Sequence, residues 1–334
     1  MVHRSGYVAV SGILALMLSV PVFPNAAAQD GQVLHYRPHI QPLQYDLSIS
    51  TKSQALALYV DGPREERQDV MRMSQRVEPA GEGLLDIVLT VEEINLRDQE
   101  PEARALELSP RGGSMYRRPD IIGNSAHHVI NLLGAVNEAS GIPHIGSTYF
   151  HPDSLAGPPL DIYRVMTMLH PQFPPELLEE GDTWQVEDEI SIGSAEALPL
   201  RGIGTLKHEL TMTVRRDLEY ELVGYVRRGT YETAQIRFSG TFSMDGQMIT
   251  EGGGDYIEGN GKSSGELYFA PAEGLLVEAT IESRVNERKS QDGIVVHWFD
   301  GTTNMAMQTG QRTAAITWIT DQVVRFTLAD PPSR

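Results

Sequence analysis

Over long stretches of this chain polar and apolar residues trade places at every step. Residues 206–215 read LKHELTMTVR and residues 275–285 read LLVEATIESRV. Side chains alternate across a β-strand, so such a stretch has one apolar face and one wet face, and it folds by burying the first. The same texture occurs at 45–50, 55–60, 70–77 and 84–94, and returns at 220–227, 231–244, 265–269 and 313–328. Glu78-Pro79-Ala80-Gly81-Glu82-Gly83 has turn chemistry and predicts a hairpin between the third and fourth of these. Long strands joined by short turns argue for antiparallel sheets.

The middle of the chain reads differently. Residues 124–140 (NSAHHVINLLGAVNEAS) place Val129, Ile130, Leu132, Leu133 and Val136 near helical spacing, with Asn124 or Ser125 as an N-cap. Residues 159–169 (PLDIYRVMTML) form a second short helix pattern, ended by Pro171, Pro174 and Pro175. The expected fold is therefore mainly β, of the α+β class. It has antiparallel sheets in two β-rich halves with a small helical, proline-rich insert between them. The corresponding divisions are a signal peptide at 1–28, a β-rich half at 29–120, a connector at 121–172, a second half at 173–328 and a tail at 329–334.

The first of these segments carries Arg4, an apolar run from Val8 to Phe23 and the small residues Ala26-Ala27-Ala28, the pattern of a secretory signal cleaved before Gln29. Its apolar run falls short of the roughly 20 residues that span a bilayer. With no cysteine there is no lipid-modified cysteine and no disulfide, so the expectation is an exported protein that is not a lipoprotein. It is held by its core and sheets, and no stable membrane span remains after signal cleavage. Acidic side chains outnumber basic ones, 45 to 27, for a formal charge of −18. That balance opposes nucleic acid, because phosphate contacts need Lys and Arg.

Residues 173–184 (FPPELLEEGDTW) resemble the F-P-x-x-x-x-x-x-G-D-[ST]-W signature that opens a β-rich half in a family of uncharacterised exported bacterial proteins. The likeness runs to about Val285 and includes the phrase APAEGLL at 270–276. It implies an exported, mainly β domain with no established chemistry. On the residues alone, Gly181-Asp182 makes a turn and Trp184 begins a strand with its ring in the core.

Candidate chemistry is sparse. Gly261-Lys262-Ser263-Ser264-Gly265 fits G-x-S-x-G, with Asp292 and His297 downstream, so Ser263 is the one candidate nucleophile of a serine hydrolase. Its flanks do not suit an elbow. TEGGGDYIEGN precedes it and a short strand follows, so the stretch reads as a glycine-rich connection between strands, with Asp255 and Glu258 in water. A phosphate loop fails on spacing, since Tyr256 stands where its first glycine belongs. Asp255, Glu258 and Asn260 lack the spacing of a calcium loop. His127, His128, His144 and His151 cluster before Asp153, with His170 further on. Of these, His144, His151 and Asp153 are the candidate metal ligands, although they match no zinc spacing. Acidic runs such as Glu187-Asp188-Glu189 read as solvated faces. No cofactor signature is found. A large antiparallel sheet can also curl round a cavity for an apolar molecule. The sequence thus favours an exported non-enzymatic protein whose partner is an apolar small molecule or another envelope protein, over a serine or metal-dependent hydrolase.

Overall fold

The computed structural model describes residues 31–56, 61–96, 123, 125–140, 168–200, 204–250, 253–292, 294–299, 304–309 and 316–329. Gly31–Arg334 forms one compact unit. Within the described residues the alternating stretches lie in strands, 45–50 and 55–56 sharing one, while 57–60 and 313–315 lie outside the described residues. The strands are β1 (His39–Leu56), β2 (Asp61–Gly81), β3 (Leu84–Leu96), β4 (Ser125–Asn131), β5 (Val136–Ser140), β6 (Thr183–Leu200), β7 (Gly204–Arg228), β8 (Tyr231–Thr250), β9 (Gly253–Ala270), β10 (Leu275–Asp292), β11 (Ile294–Phe299), β12 (Asn304–Thr309) and β13 (Ile316–Leu328). The turn at Glu82-Gly83 joins β2 to β3 as the hairpin predicted.

Eleven strands close into a barrel in the order β1-β13-β10-β9-β8-β7-β6-β5-β4-β3-β2, and β11 and β12 pair only with each other. A ring with an odd number of strands cannot alternate direction throughout. The mismatch falls at β5 and β6, which run parallel and touch only through Ala139↔Ile192 and Ser140↔Gly193. All other neighbours in the ring are antiparallel.

This architecture corrects the α+β expectation. No helical element occurs among the described residues, and first and last strands pair in one barrel in place of separate sheets in two halves. The segment 125–140, expected as a helix, is the hairpin β4–β5. Its apolar spacing served both periods over so short a run, and the turn chemistry decided it. The Asn131 carboxamide accepts from the Leu133 and Ala135 amides, at 3.0 Å each. Gly134 sits at φ +92°, where a Cβ would lie 2.7 Å from the Tyr36 ring and strike the Pro171 carbonyl oxygen. Of the second expected helix, only Met168 and Leu169 lie within the described residues.

Residues 253–269 of the glycine-rich stretch are a strand and not a connection: β9 pairs along its length with β8 and β10. Its glycines are there for what lies opposite. Phe238 faces Gly265, Phe242 faces Gly261 and Met244 faces Gly259 across the β8–β9 ladder. A Cβ would lie 2.8 Å from the Phe238 ring at Gly265 and 2.6 Å from the Phe242 ring at Gly261. Absent side chains on β9 let large ones from β8 lie across it, the packing of aromatic on strand glycine.

One end of the barrel is stoppered by two chain segments, 31–37 and 168–178, tied by the Gln32↔Leu178 bridge. The Tyr36 and Phe173 amides donate to the Leu132 and Leu133 carbonyls of the β4–β5 turn, at 2.8 and 2.7 Å. Tyr36, Phe173 and Phe269 form an aromatic cluster there, with centroids 4.7–5.7 Å apart. Trp184 adds its ring to the core edge, stacked at 5.3 Å on Tyr220, and donates its indole N–H to the Gln172 carbonyl at 2.8 Å.

The barrel lumen as candidate functional site

The wall has opposite polarity on its two faces. Leu47, Ile49, Val214, Leu218, Leu267 and Ile281 point inward and are buried. Outward positions on the same strands carry Asp46, Arg215, Asp217, Glu258, Lys262 and Arg284, all exposed. A transmembrane barrel has the reverse arrangement, an apolar band facing lipid and a polar interior. Pairs such as Arg215 with Glu189 at 2.8 Å and Arg237 with Glu221 at 3.2 Å knit this outer surface across neighbouring strands.

Inside, polarity changes along the axis. Register stacks inward residues in layers that cross β1, β13, β10, β9 and β8. Towards the stoppered end these read Leu47–Phe326–Ala279–Leu267–Ile236 and Ile49–Val324–Ile281–Gly265–Phe238. The next layer is Thr51–Gln322–Ser283–Ser263–Gly240, and the one beyond is Ser53–Thr320–Val285–Gly261–Phe242. Further on, Glu287 faces Gly259. Thr51, Ser53, Ser263, Ser283, Glu287, Thr320 and Gln322 are all buried. Part of the lumen wall is thus a band of hydroxyl, amide and carboxyl groups, while β6–β8 offer Ile190, Met212, Val214 and Met244.

The layer that begins at Ser53 and reaches Phe242 continues round the ring through Phe242↔Arg216 and Arg216↔Asp188. The Arg216 side chain is fully enclosed and forms a forked pair with Asp188, Nε donating at 2.8 Å and Nη2 donating to the second carboxylate oxygen. Burial opposes its charge, but the hydrogen bonds and attraction of Asp188 overcome this and raise the Arg216 pKa. Burial likewise raises Tyr220 to about 12 and Tyr36 well above the usual phenol range, so both keep their protons.

Beside this pair lie two imidazoles, His128 from β4 and His170 from the stopper, with ring centroids 5.1 Å apart and planes at 76°. Both are buried, and none of their four ring nitrogens has a hydrogen-bond partner. Desolvation, with the Arg216 charge adding to it, lowers His128 to about 4; desolvation, then His128 and Arg216, lowers His170 well below the usual value. Both are neutral at pH 7. The hydroxyls of Thr51 and Thr320 also lack partners. Buried polar groups left unpaired cost about 1–3 kcal/mol each, so these groups call for hydrogen-bonding partners, from water or a bound molecule.

The sequence candidates fall as follows. Ser263 is 3% exposed in the polar band, bonded to the Ser283 hydroxyl at 3.0 Å, the Glu282 carbonyl at 3.3 Å and Met168 sulfur at 3.4 Å. No histidine is among those partners. Asp292 ends β10 and His297 lies on β11, in the separate two-stranded sheet. His144, His151 and Asp153 lie outside the described residues. His127 and His128, neighbours in sequence, point to opposite faces of β4: His127 bonds Asp86 at 2.9 Å on the outer surface, while His128 enters the lumen. Among the described residues no three His, Asp or Glu side chains converge as a metal site would require. Sequence reasoning missed the His128–His170 and Arg216–Asp188 clusters. The available signal was a polar residue on the apolar phase of a strand, as at Thr51, Ser283 and Arg216. On the outer wall an open groove of about 810 Å³ runs past Glu187, Arg215, Asp217 and Arg284. Its arginines are already engaged, Arg215 with Glu189 and Asp245, and Arg284 with Asp321.

No family model matches this chain, and no curated protein matches it. Among solved structures, an anion-selective porin from Comamonas acidovorans aligns at 10% identity over 86% of this chain and 99% of its own, with a TM-score of 0.20. The outer membrane protein OmpT of Vibrio cholerae, folded in vitro, aligns at 9% identity over 85% of this chain and 96% of its own, with a TM-score of 0.17. At such scores the likeness fixes neither family nor function.

Proposed function

We propose that this chain is an exported, non-enzymatic barrel of the cell envelope that holds a small amphipathic molecule in its lumen. The observation that carries the reading is the mixed interior: apolar Ile190, Met212, Val214 and Met244 on β6–β8, interrupted by the Arg216–Asp188 pair, share the lumen with a band of buried Thr, Ser and Gln on β1, β13, β10 and β9, within a barrel whose outside is charged. A ring of eleven strands encloses more cross-section than the eight whose side chains just fill a barrel, and here the stopper occupies one end. The signal-like opening and the FPPELLEEGDTW resemblance support export.

Native mass spectrometry of the protein purified without detergent tests this, together with titration by N-phenyl-1-naphthylamine. The expected result is a co-purifying small molecule and saturable one-to-one uptake of the dye after its extraction. Failure of both would overturn the reading.

A further inference from the structure

Resting on that reading, we infer that His128 and His170 are the polar anchor of the lumen, and that the bound molecule presents a neutral hydroxyl to them. The two rings come from separate parts of the fold, one from the wall and one from the stopper, and meet edge-on at 5.1 Å between centroids. Each neutral imidazole carries one donor nitrogen and one acceptor nitrogen. At this spacing a single oxygen that both accepts and donates can bond one nitrogen of each ring, and a hydroxyl is the smallest organic group that does so. The charged and phenolic groups that act on the two rings offer an ion no free partner. Arg216 is matched by Asp188, while Tyr36 and Tyr220 remain protonated. A cation would meet the Arg216 field, which already disfavours protonation of both histidines. A carboxylate would find the nearest guanidinium fork engaged by Asp188. The Tyr36 hydroxyl donates to the Pro171 carbonyl at 3.1 Å, so its proton is spoken for. The unpartnered Thr51 and Thr320 hydroxyls line the same lumen and suit a second polar atom on the ligand.

The test displaces N-phenyl-1-naphthylamine from the full exported protein with dodecan-1-ol, dodecyl methyl ether and dodecane. The expected result is that the alcohol competes about tenfold better than the ether or the alkane, the worth of one well-placed hydrogen bond. His128→Leu and His170→Leu should abolish this preference. His170→Gln, which retains a donor and an acceptor, should restore part of it. Equal competition by alcohol and alkane in the unmutated protein would overturn the inference, leaving ordered water as what the rings hold. The lumen reading would survive that result. If neither dye nor competitor binds, the lumen reading falls as well. Stoichiometric zinc uptake that blocks the alcohol and is lost in His128→Leu would overturn the inference in favour of a metal. Should the leucine variants not fold, the alcohol-to-alkane ratio in the unmutated protein decides.

Discussion

His128 and Gly261 show how single side chains hold the lumen together. Folding takes the His128 imidazole from a usual value of 6.5 to about 4. Between those values the unfolded chain binds a proton that the native state refuses, so stability falls as pH drops through this window and is intact above it. At 1.36 kcal/mol per unit, the loss approaches roughly 3 kcal/mol by pH 4. Urea denaturation across pH 4–7 should show this fall, and it should be shallower in His128→Phe; an unchanged slope would contradict the burial. His170 acts in the same direction. Gly261 tests the wall. A Cβ there meets Phe242 and the Arg284 carbonyl, so Gly261→Ala should cost about 1–3 kcal/mol by overpacking, read as a lower Tm. Ser264→Ala, exposed on the outer face, should stay within about 0.5 kcal/mol.

At the scale of elements, the β4–β5 turn holds the stopper. It presents the Leu132 and Leu133 carbonyls to Tyr36 and Phe173, and its shape depends on the two bonds that Asn131 accepts. Asn131→Ala should therefore cost about 1–3 kcal/mol. It should also increase protease nicking within 168–178 before global unfolding, since the stopper loses its docking site. Equal protection of stopper and barrel strands would show that the turn is not what positions it. The hairpin was hidden in the sequence because 124–140 offers five apolar residues at spacings a helix also uses. Its tell-tale was Asn131 followed by Gly134, one side chain that closes a turn and one residue that adopts φ +92°. The glycines of β9 misled for a related reason. Glycine marks loops when its conformational freedom is used, but in β9 it is used for its missing side chain.

For the whole molecule, the charged outer face makes the sharpest prediction. Outward positions of the described barrel strands carry mainly charge and hydroxyl groups, with Val70 and Tyr256 as exposed exceptions, where a lipid-facing band would need apolar side chains throughout. Expressed from residue 1, the protein should be recovered from an osmotic-shock or medium fraction and sediment as a discrete species without detergent. Recovery only from detergent-extracted outer membranes would refute this account of its surface. The closed ring also means that first and last strands stabilise one another through a twelve-residue register, Tyr45↔Leu328 to Leu56↔Thr317.

The sequence by itself determined the strongly alternating strands and which face of each is wet, because alternation is local and solvent enforces it residue by residue. It also determined the turn at 82–83, the acidic surface and the absence of disulfides. Only the tertiary structure decided that the strands close into one ring, that Phe238 and Phe242 lie over Gly265 and Gly261, and that His128 meets His170 across 42 positions of chain. Those outcomes depend on register and curvature between strands far apart in sequence, and no local pattern encodes a neighbour. The candidate site was legible only as misfits, a Thr, Ser or Arg on an apolar phase, and became a site when the barrel turned those misfits toward one another.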